Sequence, residues 1–429
     1  MEPVSVSCDL AGRTFTLSTG LFKTQAGGTI TATLGDSVVL CMASMSDDPK
    51  EGAAFFPMVV DYEERYYAAG KIKGSRFIKR EGRPSESAIL HSRMIDRPMR
   101  PMFPKGLTHD VQVVASVLSS DLETDPGGTA MTGASMALLA AGTPFQGPVS
   151  AVRIGMVDGK FIINPTYKEA SEGNLDLVVC GTKDAITMVE CGAKQVDEDT
   201  MLRALELGHK EVQKLCDLQL EFLKKLKIEP KKITLIEPNP AAVEAVEGYL
   251  NTSMLDTVGG KTKKEFKQSY KDLLKPLLEK HADQIKEGKF SKSELDELIN
   301  EKVEKQMREN VLTKGIRIDG RKADEIRTLS CKVGVLPRPH GTGLFQRGET
   351  QVLSIATLGS PGDAQVIDTM NIDEEKRYIH HYNFPPYAVG EIRPLRGASR
   401  REIGHGDLAE RALIPVLPSK EEFPYTIWV

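Results

Sequence analysis

The chain contains two stretches that resemble each other at a constant spacing. Gly28-Thr29 and Gly35-Asp36 in the first stretch match Gly341-Thr342 and Gly348-Glu349 in the second. Both pairs of leading glycines lie 313 residues apart, so the register is the same in the two clusters. Such self-similarity is typical of a duplicated domain. The second copy stops at Val429, and we expect an incomplete copy to bury only part of a core.

Further matches extend the similarity along both copies. Residues 67–72 match 387–392, Lys79-Arg80-Glu81 matches Arg400-Arg401-Glu402, and Phe103-Pro104 matches Phe423-Pro424. The spacing in these later matches rises to 320 or 321 residues. We therefore expect one type of domain to occur twice, and we expect the chain to be a fragment of a longer protein.

Composition indicates a globular, cytoplasmic protein. The 429 residues are 40% hydrophobic, which is enough for two or three ordinary domains. No run of about 18 apolar residues is present to span a membrane, and the start of the chain lacks a signal-peptide pattern. The six cysteines form no Cys-x-x-Cys pair, which predicts reduced thiols. A net charge of -4 excludes a globally basic coat, so any polyanion site must be a local cluster.

The first copy has the sequence pattern of mixed α and β structure. Short β-branched runs between Gly and Asp predict strands within residues 14–43, 58–67, 111–118, 149–157, 160–163, 175–180 and 185–190. Helical periodicity predicts a helix at residues 86–93, which we expect Asp96-Arg97-Pro98 to end, and a buried helix at residues 132–141.

A helical region separates the two copies. Apolar residues from Met201 to Phe222 recur with a period near 3.6, which predicts a long amphipathic helix after Asp197. Further helices are predicted at residues 241–250, 263–281 and 291–311. The expected domains are therefore residues 1–226, an all-helical domain at 238–314, and the second copy at 315–429. The lysines of the helical domain could contact a polyanion or could simply be solvated.

Two basic clusters are candidates for contact with a phosphodiester backbone. Lys79, Arg80 and Arg83 lie beside turn-forming residues in the first copy. Arg400 and Arg401 lie in the second copy, and His405 follows between two glycines. One guanidinium group can form hydrogen bonds to two phosphate oxygens at once. An imidazole can donate a hydrogen bond to a phosphate or a ribose hydroxyl. A salt-bridged surface loop and a structural histidine are the alternatives.

The ordered motifs of both copies resemble those of the bacterial polynucleotide phosphorylase family. The motifs are residues 80–86 with Asp96-Arg97-Pro98, Asp319-Gly320-Arg321, residues 335–341, residues 344–351, residues 381–387 and residues 400–406. The resemblance covers the whole chain. It implies an α/β (α+β) fold in which two ribonuclease PH-type domains (ribosomal protein S5 domain 2-like) are joined by an all-helical domain.

The resemblance also implies an activity. Members of this family shorten single-stranded RNA from its 3′ end by phosphorolysis and release nucleoside diphosphates, and the reaction is reversible. They use inorganic phosphate as co-substrate with Mg²⁺ or Mn²⁺, form homotrimeric rings with a central channel, and join RNA-degradation complexes. A tRNA-trimming enzyme of the same superfamily has a single copy, which the duplication and the helical domain disfavour.

Carried over by position, the resemblance assigns roles to the basic clusters. Lys79, Arg80 and Arg83 are expected to meet RNA at the channel constriction, although Ile78 and Lys79 replace the usual aromatic residue and arginine. The expected contacts of the RNA 3′ end near the attacking phosphate are Arg400, Arg401 and His405.

The metal-binding and phosphate-binding groups of the family fall beyond Val429, as do its KH and S1 domains. In the first copy Asp176 stands at the position of one metal-binding aspartate, but Ala170 stands where its partner would be. The first copy is thus expected to be degenerate, and we expect this chain to contain no complete catalytic or metal site. A catalytically inactive RNA-binding or assembly module is the alternative function.

Overall fold

The computed structural model shows two compact units, each with its own hydrophobic core. It describes residues 3–50, 55–73, 77, 79–233, 235, 237–371 and 373–429. The first unit comprises Met1–Leu235 together with Thr357–Val429, and the second comprises Ile236–Ala356. Among the described residues, no helix has both the length and the apolar character needed to cross a bilayer.

The first part of the first unit is an α/β structure built on two sheets. Its elements in chain order are β1 (Val4–Leu10), β2 (Arg13–Thr19), β3 (Gly28–Leu34), β4 (Ser37–Pro49), β5 (Met58–Glu64), α1 (Glu86–Met99), β6 (His109–Ser119), α2 (Gly127–Ala140), β7 (Ser150–Val157), β8 (Lys160–Ile163), α3 (Tyr167–Glu172), β9 (Leu175–Gly181), β10 (Ile186–Ala193) and α4 (Glu198–Leu226). The larger sheet has the order β1-β2-β3-β4-β6-β5, and the smaller has the order β10-β9-β7-β8.

The core of this part lies between the helices and the sheets. Helix α2 is apolar nearly all round and packs against β3, β4 and β7, so that Met131, Ala134 and Leu138 are fully buried. Helix α4 is amphipathic and packs its apolar face on β1, β7 and β9, as its 3.6-residue period predicts. The predicted strands are confirmed, with ends that differ by a few residues.

Helix α1 continues further than the sequence suggests. The expectation that Asp96-Arg97-Pro98 ends it is wrong, because α1 includes Pro98 and reaches Met99. A proline removes one backbone donor, and in the last turn of a helix this interrupts only one hydrogen bond. Helix α2 likewise begins at Gly127, five residues before the predicted start at Thr132.

The second unit is largely helical and ends in three strands. Its elements are α5 (Pro240–Glu247), α6 (Thr252–Leu255), α7 (Lys263–Lys280), α8 (Ala282–Lys286), α9 (Lys292–Lys314), β11 (Leu329–Val333), β12 (Gly341–Arg347) and β13 (Thr350–Gly359), whose last three residues belong to the first unit. Ala242, Leu277, Leu295 and Ile299 are fully buried in the core of the helices. Strands β12 and β13 instead leave apolar side chains exposed, namely Phe345, Val352, Leu353 and Ile355.

The chain then completes the first unit. The remaining elements are β14 (Gln365–Asp368), β15 (Asp373–Lys376), β16 (Tyr378–Ile379), α10 (Arg400–Leu413) and β17 (Thr426–Trp428). Strand β17 pairs antiparallel with the end of β13 and parallel with β16. In the first copy β6 pairs in the same way with β4 and β5. The duplication predicted from sequence is therefore a duplication of strand pairing.

The starts of helices α1 and α10 show that one of the matches between the two copies was misaligned. Helices α1 and α10 both have 14 residues, both follow a capping serine (Ser85 or Ser399), and both continue directly into a 3₁₀ turn. Ser85 and Ser399 lie 314 residues apart, so Arg400 and Arg401 correspond to helical positions rather than to Lys79 and Arg80. The match of Lys79-Arg80-Glu81 with Arg400-Arg401-Glu402 is thus wrong. The loop before α10 is shorter, which returns the spacing from 320 to 314.

Candidate functional site

Glu81 anchors the basic loop of the first copy. Glu81 Oε2 accepts a hydrogen bond of 2.8 Å from Arg65 Nη1, and Glu81 Oε1 accepts one of 2.9 Å from the backbone N–H of Tyr66. Although burial acts in the opposite direction, these donors lower the pKa of Glu81. On either side of this anchor the side chains of Arg80 and Arg83 are exposed and form no ion pair with the described residues.

Lys79 is also exposed, and it is the third predicted cation of this loop. Ile78, at the position where we expected an aromatic residue in the family, lies outside the described residues. The loop leads into α1, whose first turn is capped by Ser85 Oγ, which accepts a hydrogen bond of 3.0 Å from the Ala88 N–H. Ser85 Oγ also donates to Glu64 Oε2 at 2.7 Å, so the end of the loop is fixed to β5.

The basic pair of the second copy starts helix α10, and its two arginines have different surroundings. Ser399 and Glu402 cap the helix reciprocally, with N–H to oxygen distances of 3.2 and 2.8 Å. Arg400 Nη1 donates to the carbonyl of Val60 at 2.6 Å, and its Nη2 forms an ion pair with Asp61 of β5. Arg401 is exposed and has no ion pair among the described residues.

His405 lies on the same side of α10 as Arg401. Residues four apart on a helix are surface neighbours, so the guanidinium and the imidazole can reach one ligand. The His405 ring packs edge-on against Tyr382, with ring centroids 4.5 Å apart, and remains exposed. Arg401 and His405 are thus available to solvent, whereas Arg400 joins α10 to the first copy.

A cavity of about 240 Å³ lies beside α10 in the first unit. The cavity is lined by Lys376, His380, Asp407 and Glu410, among other residues. Lys376 Nζ is 2.6 Å from Glu410 Oε1, so its charge is already paired. Burial raises the pKa of Asp407 and lowers the pKa of His380. With its lysine paired and His380 biased toward the neutral form, this cavity is poorly suited to a phosphate group.

The carboxylate of Asp176 is bound by an arginine. Arg153 on β7 donates from Nε to Asp176 Oδ1 at 2.5 Å and from Nη2 to Oδ2 at 2.7 Å. Its third nitrogen, Nη1, donates to Asp125 Oδ2 at 2.8 Å. The three donors of one guanidinium therefore bridge two carboxylates, which is the geometry that suits arginine best.

His91 completes this cluster as a largely buried cation. Its Nε2 is 2.9 Å from Asp125 Oδ1, and its Nδ1 is 2.9 Å from the carbonyl oxygen of Ser87. Both partners can only accept, so both ring nitrogens must carry a proton. Burial lowers the pKa of His91, but the charge of Asp125 outweighs it and the pKa rises to about 9. The same contacts lower the pKa of Asp125 against the effect of burial.

The carboxylate of Asp176 has little capacity left for a divalent cation. A metal ion needs free carboxylate oxygens, and both oxygens of Asp176 accept hydrogen bonds from Arg153. Tyr62 stacks on His91 with ring centroids 4.7 Å apart, and a Cβ on Gly127 would lie 2.4 Å from the His91 ring. Among the described residues, no three His, Cys, Asp or Glu side chains are arranged to hold a metal ion.

The structure brings the candidate residues to two helix starts in the first unit. Lys79, Arg80 and Arg83 precede α1, while Arg401 and His405 lie in the first turns of α10, and these helices pack against each other. Sequence reasoning missed Arg153, Asp125 and His91. A charged residue inside the apolar strand Val152-Arg153-Ile154 was the available signal, because a partly buried guanidinium favours an anionic partner.

Comparison with protein families matches most of the chain. Residues 11–144 and 325–429 both match domain 1 of the 3′ exoribonuclease family, and together they make up more than half of the chain. Residues 147–211 match domain 2 of that family. Residues 241–322 match the RNA-binding domain of polyribonucleotide nucleotidyltransferase.

Curated relatives match over nearly the whole chain. A polyribonucleotide nucleotidyltransferase of Heliobacterium modesticaldum is 48% identical over 98% of this chain, and one of Desulfitobacterium hafniense is 48% identical over 99% of it. The chain spans 59% of the length of each of these two relatives. A third, from Gloeobacter violaceus, is 47% identical over 99% of this chain and 60% of its own length. The chain belongs to the 3′ exoribonuclease family, whose domain 1 it contains twice around a helical region.

Proposed function

We propose that this protein acts in RNA degradation as a polyribonucleotide nucleotidyltransferase that shortens single-stranded RNA processively from its 3′ end by phosphorolysis. The observation that carries the proposal is the order of matched domains, in which an RNA-binding domain of that enzyme lies between two exoribonuclease domains. The identity of nearly one half to named nucleotidyltransferases supports the same conclusion.

The chemistry makes defined demands on a site. An oxygen of inorganic phosphate forms a bond to the phosphorus of the last phosphodiester, and the bond to the 3′ oxygen of the preceding nucleotide breaks. A nucleoside diphosphate leaves, and the RNA is one nucleotide shorter with a new 3′ hydroxyl. Two anions must approach each other, so the site has to supply cations and donors at the phosphate oxygens.

The exposed cations described above suit the binding part of this task. We assign Lys79, Arg80 and Arg83 to the RNA backbone, and Arg401 and His405 to the RNA 3′ end. Arg400, which we expected to bind RNA as well, has its guanidinium on Val60 and Asp61. We therefore propose that Arg400 positions α10, so that its neighbour Arg401 faces the ligand.

Further properties of the family remain proposals for this protein. They are a divalent metal, Mg²⁺ or Mn²⁺, in the complete enzyme, a homotrimeric assembly, partners in RNA degradation, and a cytoplasmic location. The division into domains at residues 1–226, 238–314 and 315–429 also stays a prediction. We also propose that the first copy holds no metal ion, and the binding of both Asp176 oxygens by Arg153 supports this proposal.

A second candidate function is an RNA-binding or assembly module without catalysis. One observation favours it for the 429 residues by themselves. The first-copy aspartate that stands at a metal-binding position is engaged by Arg153, whereas the basic residues Arg80, Arg83 and Arg401 remain exposed. The chain thus keeps exposed groups that can bind RNA, whereas the aspartate at the metal-binding position is already engaged.

One experiment separates the two functions. The purified chain is mixed with labelled oligoadenylate and Mg²⁺, with and without inorganic phosphate, and both RNA binding and nucleoside diphosphate release are measured. Release that requires phosphate supports phosphorolysis by this chain. Binding without release supports the non-catalytic module. Absence of both contradicts the two functions alike, and single-stranded DNA of the same sequence serves as the control substrate.

A further inference from the structure

The loop before α10 exposes aromatic, aliphatic and cationic side chains together. It comprises residues 387–398, and in it Tyr387 is 81%, Ile392 104% and Leu395 80% exposed. Arg393 and Arg396 lie between or beside these residues and are also exposed. Single-stranded nucleic acids are bound by surfaces in which cations follow the backbone and aromatic rings stack on bases.

This loop is the structural counterpart of the first-copy basic loop. The first-copy loop starts after the 3₁₀ turn Tyr66–Ala69, which Gly70 ends with a φ of 66°, and it leads to the capping Ser85. The second starts after the 3₁₀ turn Pro386–Ala388, passes Gly390 with a φ of 73°, and leads to the capping Ser399. A left-handed glycine near the start and a serine-capped helix at the end define both loops.

The two arginines of this loop are available to a ligand. Arg396 has no hydrogen bond or ion pair with any described residue. Arg393 Nε lies 3.5 Å from Glu391 Oε2, and Arg393 Nη2 lies 3.4 Å from the carbonyl oxygen of Phe384. These distances are at the long end for hydrogen bonds, and an exposed pair of this kind contributes little, so a phosphate can replace it.

We propose that residues 387–398 form a second contact surface for single-stranded RNA, separate from the first-copy loop. In this surface Arg393 and Arg396 bind phosphate oxygens and Tyr387 stacks on a base. The inference rests on the proposed function, because RNA is the ligand that the family acts on. The loop runs directly into the helix start that presents Arg401, so RNA bound here continues toward Arg401 and His405.

The test is RNA affinity measured as a function of salt concentration. Fluorescently labelled oligoadenylate is titrated with the wild-type chain, with the double variant Arg393→Ala/Arg396→Ala, and with Lys210→Ala/Lys224→Ala as the control. The control removes the same charge from two exposed lysines of α4 that form no ion pair with any described residue. Each lost phosphate contact on a single strand lowers the slope of log K against log salt by about 0.7, so the double variant should lose about 1.4.

The aromatic part of the surface has a separate signature. Tyr387→Ala should weaken binding about 5- to 100-fold with an unchanged salt slope, because base stacking does not release counterions. Tyr387→Phe retains the ring and should bind as the wild type does. Circular dichroism of each variant verifies that the fold is retained.

The outcomes distinguish this proposal from the proposed function. If the wild type binds RNA and the arginine variant keeps the wild-type slope and affinity, the loop proposal is overturned while phosphorolysis is unaffected. An arginine variant no weaker than the lysine control overturns it as well. If the wild type shows no salt-dependent binding, the loop proposal fails together with RNA binding, and phosphate-dependent release is then judged by its own assay.

Discussion

Arg400 Nη1 donates a hydrogen bond of 2.6 Å to the backbone carbonyl of Val60 and thereby joins helix α10 to strand β5. The neighbouring Arg401 points to solvent. Two adjacent arginines of one basic motif therefore have different surroundings, and we propose that Arg400 holds α10 on the first copy while Arg401 binds RNA.

These different surroundings predict that substitution of Arg400 affects stability, whereas substitution of Arg401 affects RNA binding. Arg400→Ala should lower the free energy of unfolding by about 1 kcal/mol, since it removes the hydrogen bond to Val60 and leaves Asp61 unpaired. Arg401→Ala should change stability by less than about 0.5 kcal/mol and should weaken RNA binding in a salt-dependent way. Urea denaturation and RNA titration of both variants test this. The proposed role of Arg400 is refuted if Arg400→Ala leaves stability unchanged.

Arg153 should be essential for the stability of the first copy. Arg153→Ala leaves the carboxylates of Asp125 and Asp176 partly buried without their cation, which should lower the free energy of unfolding by about 2–4 kcal/mol. Arg203→Ala, at an exposed position on α4, should change it by less than about 0.5 kcal/mol. If the two substitutions lower the free energy of unfolding equally in urea denaturation, the ion pairs of Arg153 with Asp125 and Asp176 do not stabilise the fold.

The buried imidazolium predicts a loss of stability at alkaline pH. His91 in the folded chain keeps its proton up to a pKa of about 9, whereas an unfolded histidine releases it near 6.5. The stabilisation is therefore complete below pH 6.5 and is lost as the pH rises through 9. The full difference amounts to about 3 kcal/mol.

This prediction is tested with the neutral variant His91→Gln. The free energies of unfolding of wild type and variant are measured between pH 6 and pH 10, and the variant is subtracted from the wild type. The difference should shrink as pH increases. A difference that is constant over this range would mean that His91 is neutral in the folded protein.

The packing of α1 against α10 depends on a glycine. A Cβ at Gly404 would lie 2.1 Å from Arg93 Nε, so Gly404→Ala must displace the Arg93 side chain or move the helices apart. We expect it to lower the free energy of unfolding by about 1 kcal/mol, because the higher helix propensity of alanine partly offsets the strain. Gly397→Ala is the matched control, because no atom lies within 4 Å of its added Cβ. If Gly404→Ala and Gly397→Ala lower the thermal stability equally, the close contact of Gly404 with Arg93 is contradicted.

Local sequence patterns were enough to predict most of the strands and helices. The alternation of apolar residues in β3 and β4 and the 3.6-residue period of α4 reflect burial on one face, which the residues themselves specify. The ends of α1 and α2 were harder to predict. Pro98 lies in the last turn of α1, where a proline interrupts only one hydrogen bond, and Gly127 starts α2 at a place where a Cβ would lie 2.4 Å from the His91 ring.

The sequence likewise indicated some residues of the candidate site and missed others. The exposed side chains of Arg80, Arg83, Arg401 and His405 were candidates from the sequence because basic residues beside glycine and proline form a local pattern. The bridge from Arg153 to Asp125 and Asp176 joins residues 28 and 23 positions apart, and no local pattern specifies it. The contact of Arg400 with Val60, 340 residues away, is equally invisible in the sequence.

The most direct test of the account is the binding of labelled single-stranded RNA to the purified chain over a range of salt concentrations, with nucleoside diphosphate release followed in the same samples. The account predicts binding whose affinity falls steeply with salt, and a shallower salt dependence when Arg80, Arg83 and Arg401 are replaced by alanine. RNA binding that is absent, or that keeps its salt dependence in the triple variant, would contradict it.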